Sequence, residues 1–144
     1  AVMELIEKMI SSDNKDGFSI VMFDIDDFKS INDTYGHVTG DKCIRHLSIL
    51  AKQSIRDIDV MGRYGGDEFL IVVPDTDPSQ ARFIAERLRK NVVKTESPNF
   101  TISIGIASYP QDGTDVKTLI SAADEALYIS KEKGKNEVSH RELF

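Results

Sequence analysis

The chain has 144 residues, a net charge of −6, 40% hydrophobic residues and 29% charged residues. That is enough for one globular domain with a sizeable core. The acidic balance excludes a non-specific phosphate-backbone binder, which needs a basic surface to displace counterions.

In chain order, V-M-E-L-I-E-K-M-I places Val2, Leu5, Ile6, Met9 and Ile10 at helical spacing. S-S-D-N-K-D-G reads as a loop. F-S-I-V-M-F-D-I-D, residues 18 to 26, reads as a strand. Its apolar stretch is nearly continuous, which predicts a central strand covered on both faces. A second helix is expected over 39–55, with Ile44, Leu47, Ala51 and Ile55 on one side. D-V-M-G-R-Y and E-F-L-I-V-V read as two strands joined at Gly65-Gly66, a hairpin signal. Pro74 ends the second of them. Asp77-Pro78 with Gln80 forms a capping box that starts a helix running to about Val93. In F-T-I-S-I-G-I-A-S, Phe100, Ile102, Ile104 and Ile106 point one way and small residues the other. The last helix spans about 115–132, with Gly134 at its C-cap. The pattern predicts one α+β domain, with helices packed on a mostly antiparallel central sheet.

One cysteine, Cys43, cannot form an internal disulfide, and no Cys/His metal spacing is present. Cys43 is expected to be a small residue in a helix. No apolar run approaches the ~18 residues that would span a bilayer, and no signal peptide is visible. The expected location is the cytoplasm, or the cytosolic part of a membrane-anchored protein.

Two acid clusters carry the chemistry. The first is F-D-I-D-D-F-K-S-I-N-D, residues 23 to 33. Asp24 and Asp26 lie two apart and share a face at the strand's C-terminal end. Carboxylates near a core are costly unless paired or bound to metal. The second is R-Y-G-G-D-E-F, residues 63 to 69, which puts Asp67 and Glu68 at a glycine turn. A strand-end Asp beside a hairpin-tip Asp is an oxygen-rich site of the kind that suits Mg²⁺ and substrate phosphates. The plainer readings are a simple hairpin for Gly65-Gly66 and helix-capping for Asp26 or Asp27. Lys29 follows the first cluster in the same loop, and Lys131 and Lys135 flank Gly134. Three lysines and a metal would together hold a triphosphate; the plainer reading of the lysines near Gly134 is favourable charge at a helix C-terminus, which is accepted for Lys133.

R-Y-G-G-D-E-F, F-D-I-D-D-F-K-S-I-N-D, Y-G-H-V-T-G-D, S-I-G-I-A and A-D-E-A-L-Y-I-S-K-E-K-G-K-N occur here in the order found in GGDEF domains. Over roughly 18–138 the chain resembles the diguanylate cyclases. The resemblance implies a fold like the ferredoxin-like palm of nucleotide cyclases and polymerases. It implies condensation of two GTP molecules into cyclic di-GMP and two pyrophosphates, across a homodimer, with Mg²⁺ or Mn²⁺. By motif position, Asp24, Asp67 and the Ile25 carbonyl would hold metal, with Glu68 a further ligand; Asp67 and Glu68 are the candidate catalytic acids. Gly65 and Gly66 would let the nucleotide lie close. Phe28 would belong to the substrate pocket, and Lys29, Lys131 and Lys135 would contact phosphates. At Lys135 the family more often has arginine, so the bidentate fork is lost. Asn32 and Asp41 would read guanine, since a carboxylate accepts from N1–H and the 2-amino group together, a pair adenine lacks. Arg56 and Asp59, in R-D-I-D, with Arg87 match an inhibitory product site.

Family members usually begin with a segment like D-x-L-T-G-L-x-N-R, where this chain has A-V-M-E-L-I-E-K-M-I. Residues 1–144 are therefore expected to be a single domain cut from a longer protein with an upstream sensory or receiver domain. The alternative function is a catalytically silent GGDEF domain that binds GTP or cyclic di-GMP. Nucleic-acid binding fits neither charge nor motifs, and the chain carries no membrane segment. His37, His46 and His140 converge in no motif and receive no catalytic role.

Overall fold

The apolar run that reads as a central strand is one. In the computed structural model, which describes residues 2–12, 17–96 and 99–140, β1 (Phe18–Ile25) is buried at every position. The other elements are α1 (Val2–Ser11), α2 (Phe28–Tyr35), α3 (His37–Ser54), β2 (Val60–Arg63), β3 (Glu68–Pro74), α4 (Pro78–Val93), β4 (Ile102–Tyr109), α5 (Val116–Glu132) and β5 (Val138–His140). The sheet order is β2-β3-β1-β4-β5. β1 pairs antiparallel with β3 and β4, and β2 with β3, while β5 runs parallel to β4. Residues 13–16 of the expected loop S-S-D-N-K-D-G lie outside the described residues.

Strand alternation divides the core in two. Val21, Phe23 and Ile25 of β1 join Ile71, Val73, Ile102, Ile104 and Ile106 under α3 and α4. Phe18, Ile20 and Met22 join Leu70, Val72 and Ala107 under α1 and α5. Asp24 follows the even set, so its side chain meets α5. The alternation expected in β4 holds. Its isoleucines serve one layer, and its small residues let α5 approach. The capping box at α4 is also present, with Asp77 Oδ1 accepting from Gln80 N at 2.8 Å and Gln80 Oε1 from Asp77 N at 3.0 Å.

Two elements depart from the sequence reading. Residues 28–35 form α2 rather than a loop, so Lys29 is helical. Phe28, Ile31 and Tyr35 fall at helical spacing, and Phe28 and Ile31 pack against the core, but the period lasts only two turns and no residue of α2 is fully buried. It is separated from α3 by Gly36 at φ 91°. β5 is also additional. Three residues carry no legible period, and the strand exists through pairing, including Ile104 N to Glu137 O at 2.9 Å. The C-terminus of α5 is closed by Lys133, with Gly134 one position beyond, at φ 110°. Cys43 is buried in α3, where burial pushes its thiol up and away from reactivity.

Gly105 sets how closely α5 can lie. A Cβ there would stand 2.2 Å from Leu127 N and 2.3 Å from Ala123 O, both backbone atoms that cannot rotate away. Gly105→Ala should therefore lower unfolding stability by about 3 kcal/mol, as overpacking does. Urea denaturation of the two proteins checks this.

Candidate active site

Asp24 ends the central strand, opposite Glu68 in the register with β3. Directly opposed residues share a sheet face, so the fold brings one acid from each cluster to the α5 side. Asp67 stands one residue before Glu68 at the β2–β3 hairpin, near enough for its charge to act on Asp24. Lys131 of α5 completes the group, donating from Nζ to Asp24 Oδ2 at 2.6 Å.

Burial pushes the Asp24 carboxyl up to about 6; the Lys131 hydrogen bond and charge pull it down, and the charges of Asp67 and Asp26 push it further up. Burial alone would lower Lys131, but its hydrogen bond to Asp24 and the surrounding carboxylates outweigh this, and the ammonium is held above its ordinary value. The second oxygen, Asp24 Oδ1, is buried with no hydrogen-bond partner. A buried, unpaired carboxylate oxygen beside a bound ammonium is what a cation site leaves when the cation is a side chain. Among the described residues, no three Asp, Glu, His or Cys side chains converge to hold an ion alone. Mg²⁺ does not require this, since it binds through one or two carboxylates with waters and substrate phosphates. The donor set fits such an ion.

The remaining residues of the first cluster lie around this centre. Ile25 follows Asp24 at the strand end. Asp27 stands at the N-cap position of α2 but makes no side-chain capping bond. Asp26 caps nothing either. Its carboxylate accepts from Thr101 Oγ1 at 2.6 Å, Ser103 Oγ at 2.5 Å and Asn136 N at 2.9 Å. Lys135 pairs with Asp27. Phe28 and Lys29 open α2, and Asn32 lies one turn on. A Cβ at Gly40 would fall 1.8 Å from Asn32 Oδ1 and 3.4 Å from Phe28 Cε1. Gly40 thus makes room for the Asn32 amide beside exposed Asp41, which lies within α3 and is not a cap.

The hairpin differs from the expected tight turn. Tyr64 N and Gly65 N both donate to Glu68 O, at 2.9 and 3.3 Å, so three residues form the loop. Neither Gly65 nor Gly66 adopts positive φ. A Cβ on Gly66 would meet nothing within 4 Å, and on Gly65 only the Glu68 side chain, at 3.7 Å. These glycines are thus not demanded by turn geometry. Arg63, which sequence reading did not single out, ties the tip by donating to Gly66 O, with its guanidinium 5.9 Å from the Phe69 ring centre. An open cavity of about 590 Å³ adjoins Glu68, bordered by Tyr64, Met22 and Ile120.

Arg56, Asp59 and Arg87 lie elsewhere. Arg56 grips Asp59 through Nε and Nη2, and Nη2 reaches Pro74 O at 3.0 Å and Thr76 Oγ1 at 2.8 Å. Those partners sit at the end of β3, whereas Glu68 begins it. Six strand steps separate the two places by roughly 20 Å. Arg87 donates to Ser54 O and lies 5.7 Å from the Phe83 ring centre. Arg56, Gln80, Phe83, Ile84 and Arg87 border a cavity of about 360 Å³. Phe83 is 67% exposed, which leaves a ring face open beside two guanidinium groups. A lone phenylalanine on a helix face carries no sequence signal for this.

Comparison with known proteins agrees with the motif reading. The family model "Diguanylate cyclase, GGDEF domain" matches residues 2–137. The chain is 42% identical over 135 residues to diguanylate cyclase A of Treponema denticola, covering 90% of this chain and 36% of that protein. It is 40% identical over 131 residues to the response regulator PleD of Caulobacter vibrioides, covering 85% and 29%. The chain thus spans about a third of the length of these relatives. Among solved structures, the active GGEEF domain of a Vibrio cholerae diguanylate cyclase superposes with a TM-score of 0.88 at 26% identity, covering 98% and 97% of the two chains. The GGDEF domain of DgcB from Caulobacter crescentus, solved in complex with c-di-GMP, gives 0.85 at 29%, covering 95% and 86%. A five-stranded sheet between helices, two opposed acid clusters and these similarities lead to one assignment: the chain belongs to the GGDEF domain family of diguanylate cyclases.

Proposed function

We propose that two copies of this domain, each holding one GTP with Mg²⁺ or Mn²⁺, condense the pair into cyclic di-GMP and release two pyrophosphates. The observation that carries this is the Asp24 carboxylate. It is buried at a strand end beside Asp67 and Glu68, neutralised by Lys131 at 2.6 Å, and left with one oxygen unpaired. Asp24, Asp67, Glu68 and the Ile25 carbonyl are the proposed metal ligands. An ion held by these groups would supply charge neutralisation at the reacting phosphate and would acidify the attacking 3′-hydroxyl. Phe28, Lys29, Lys131 and Lys135 flank the triphosphate, Gly65 and Gly66 leave it room, and Asn32 with Asp41 selects guanine. The 3′-hydroxyl of one GTP attacks the α-phosphorus of the other and pyrophosphate leaves; the reciprocal attack closes the ring. Each domain supplies half of the reacting atoms, so positioning and electrostatics carry most of the acceleration.

Product is proposed to bind at Arg56, Asp59 and Arg87 and to inhibit. The two guanidinium charges attract phosphate, although the Arg56 Nε–Nη2 fork is already on Asp59, and Phe83 offers a stacking face. The domain is proposed to be a module of a longer protein with an upstream sensory or receiver unit, in keeping with the third of the relatives' length that it spans. With GTP as the proposed substrate, the cytosol is the proposed compartment. Among the described residues no helix is long and apolar enough to cross a membrane.

Pyrophosphate release from GTP and Mg²⁺, followed over a hundredfold range of protein concentration, tests the central reading. Release should rise faster than linearly, and Asp67→Ala should remove it. GTP binding without release, even in dimers forced by a fused coiled coil, would instead identify a receptor.

The Asp24 carboxyl gives a pH dependence. Its value is raised to about 6, so below that pH it is mostly protonated, and a proton must leave before a cation can bind. Mn²⁺ affinity in the absence of nucleotide should fall as pH drops from 7 through 6 and level off above 7. Titration calorimetry at several pH values reads this directly.

For the product site, Arg87→Ala is the cleaner probe. Removing Arg56 would leave the Asp59 carboxylate, whose side chain is wholly buried, without its partner. Loss of one charge-assisted contact should weaken cyclic di-GMP inhibition about tenfold or more while GTP turnover in the absence of product stays intact. Inhibition curves for the two proteins test it.

A further inference from the structure

The turn after α5 is held in a conformation its residues do not choose. Gly134, Lys135 and Asn136 have φ of 110°, 67° and 49° in succession. Asparagine tolerates the left-handed region and glycine is indifferent, but lysine avoids it. Such a run persists only where its surroundings over-determine it. Part of the explanation is local, since Gly134 N donates to Lys131 O at 3.3 Å and Lys135 N to Ser130 O at 3.1 Å, a Schellman closure of the helix. That closure requires only one left-handed residue and leaves Lys135 and Asn136 unexplained.

The rest comes from two anchors, Asp26 and Arg89, to which the proposed chemistry assigns no contact with metal or nucleotide. Asp26 is buried, and both of its oxygens are engaged. Ser103 Oγ donates to Oδ1, while Thr101 Oγ1 and Asn136 N donate to Oδ2. Unlike Asp24, it has no unpaired oxygen. Arg89 Nη1, from α4, donates to Asn136 Oδ1 at 3.0 Å. The Arg89 fork is itself set by Glu86, with Nε to Oε1 at 2.9 Å and Nη2 to Oε2 at 3.3 Å. Asn136 is thus gripped at its amide N–H by the β1 end and at its side chain by α4. Lys135 precedes it and Lys131 lies five residues earlier, each on an acid of the first cluster.

We propose that Asp26 and Arg89, acting through Asn136, are positioning residues that clamp the Gly134–Asn136 turn and so aim Lys131 and Lys135 at the phosphates of the nucleotide. This rests on the reading that those lysines contact phosphate. The clamp touches neither base nor metal, so its loss should weaken phosphate recognition and spare base recognition.

Asp26→Ala strands three hydrogen-bond donors, the Ser103 hydroxyl among them buried, and is a poor test, because it threatens folding. Arg89→Ala and Asn136→Gly are better, and the glycine keeps the left-handed backbone while removing the side-chain grip. The probes are guanosine, and a GTP analogue with a methylene bridge between its α- and β-phosphates, with Mg²⁺, which cannot release pyrophosphate. Both variants should bind the analogue between about 10- and 100-fold more weakly, the worth of a charge-assisted contact or two, with guanosine affinity unchanged. Equal loss for both probes, or loss for neither, overturns the clamp. Exchange of the Asn136 amide hydrogen supplies an arm that needs no nucleotide. It should quicken in Arg89→Ala, and unchanged exchange overturns the clamp too. A native chain that binds neither probe would overturn the GTP reading instead, and the amide exchange would still decide whether the clamp exists.

Discussion

A carboxylate at the end of a strand covered on both faces is the constraint on which the rest depends. Asp24 lies where water is largely excluded, and an isolated charge there would neutralise itself. Burial does push its carboxyl upward, to about 6, and only Lys131 holds it that low. The strand cannot move to relieve the acid, because β1 is paired on both sides and packed on both faces. Compensation must come from the neighbours. α5 therefore has to lie close enough for Lys131 to reach, and the small residues of β4 let it. Gly105 is where that closeness is decided, with α5 backbone packed against its Cα.

The same strand arrangement separates two kinds of chemistry. β3 begins at Glu68, beside Asp24, and ends at Pro74, whose carbonyl accepts from Arg56. The acidic centre and the arginine site thus share one rigid strand and face opposite ends of the sheet. α4 serves both. Arg87 lies on the open side with Phe83, and Arg89, two residues on, reaches Asn136 at the turn after α5. Consecutive odd positions on a helix diverge by about 200°, so one helix can present one arginine to solvent and the other to the fold.

How far the sequence foretells this depends on how local each cause is. β1, β3, β4, α4 and α5 carry strong periods or capping chemistry and are legible. α2 is harder to read, because F-K-S-I-N-D-T-Y holds its one-sided spacing, Phe28, Ile31 and Tyr35, for only two turns. β5 is not legible, because three residues have no period and the strand is made by its partner. The acid clusters were visible as clusters, but the roles within them were not. Asp24 and Asp26 have the same residue type and the same parity, yet one keeps an unpaired oxygen and the other has both oxygens hydrogen-bonded, by Thr101, Ser103 and Asn136. Those partners come from about 75 to 110 positions away in the chain, and no spacing rule of strands reaches so far. Gly65 and Gly66 carried a turn signal, yet neither adopts positive φ, so the turn alone does not account for them. Phe83 beside Arg87 was invisible, since an exposed ring becomes informative only when its neighbours are known.

The Lys131–Asp24 pair also constrains what the site can do next. An ammonium at 2.6 Å satisfies one carboxylate oxygen and keeps the charge cluster assembled. Lys131 cannot give its full charge to Asp24 and to a phosphate together. Under the proposed function it would become available to a triphosphate only when another cation neutralised Asp24. Nucleotide and cation would then be coupled through this lysine, each binding better in the presence of the other. Lys135, paired with exposed Asp27, has less to give up, because a surface pair is worth little in water. The two lysines are thus unequal. One is released by a change at the buried acid, and the other only has to be aimed, which is the task the turn around Asn136 performs under the proposed clamp.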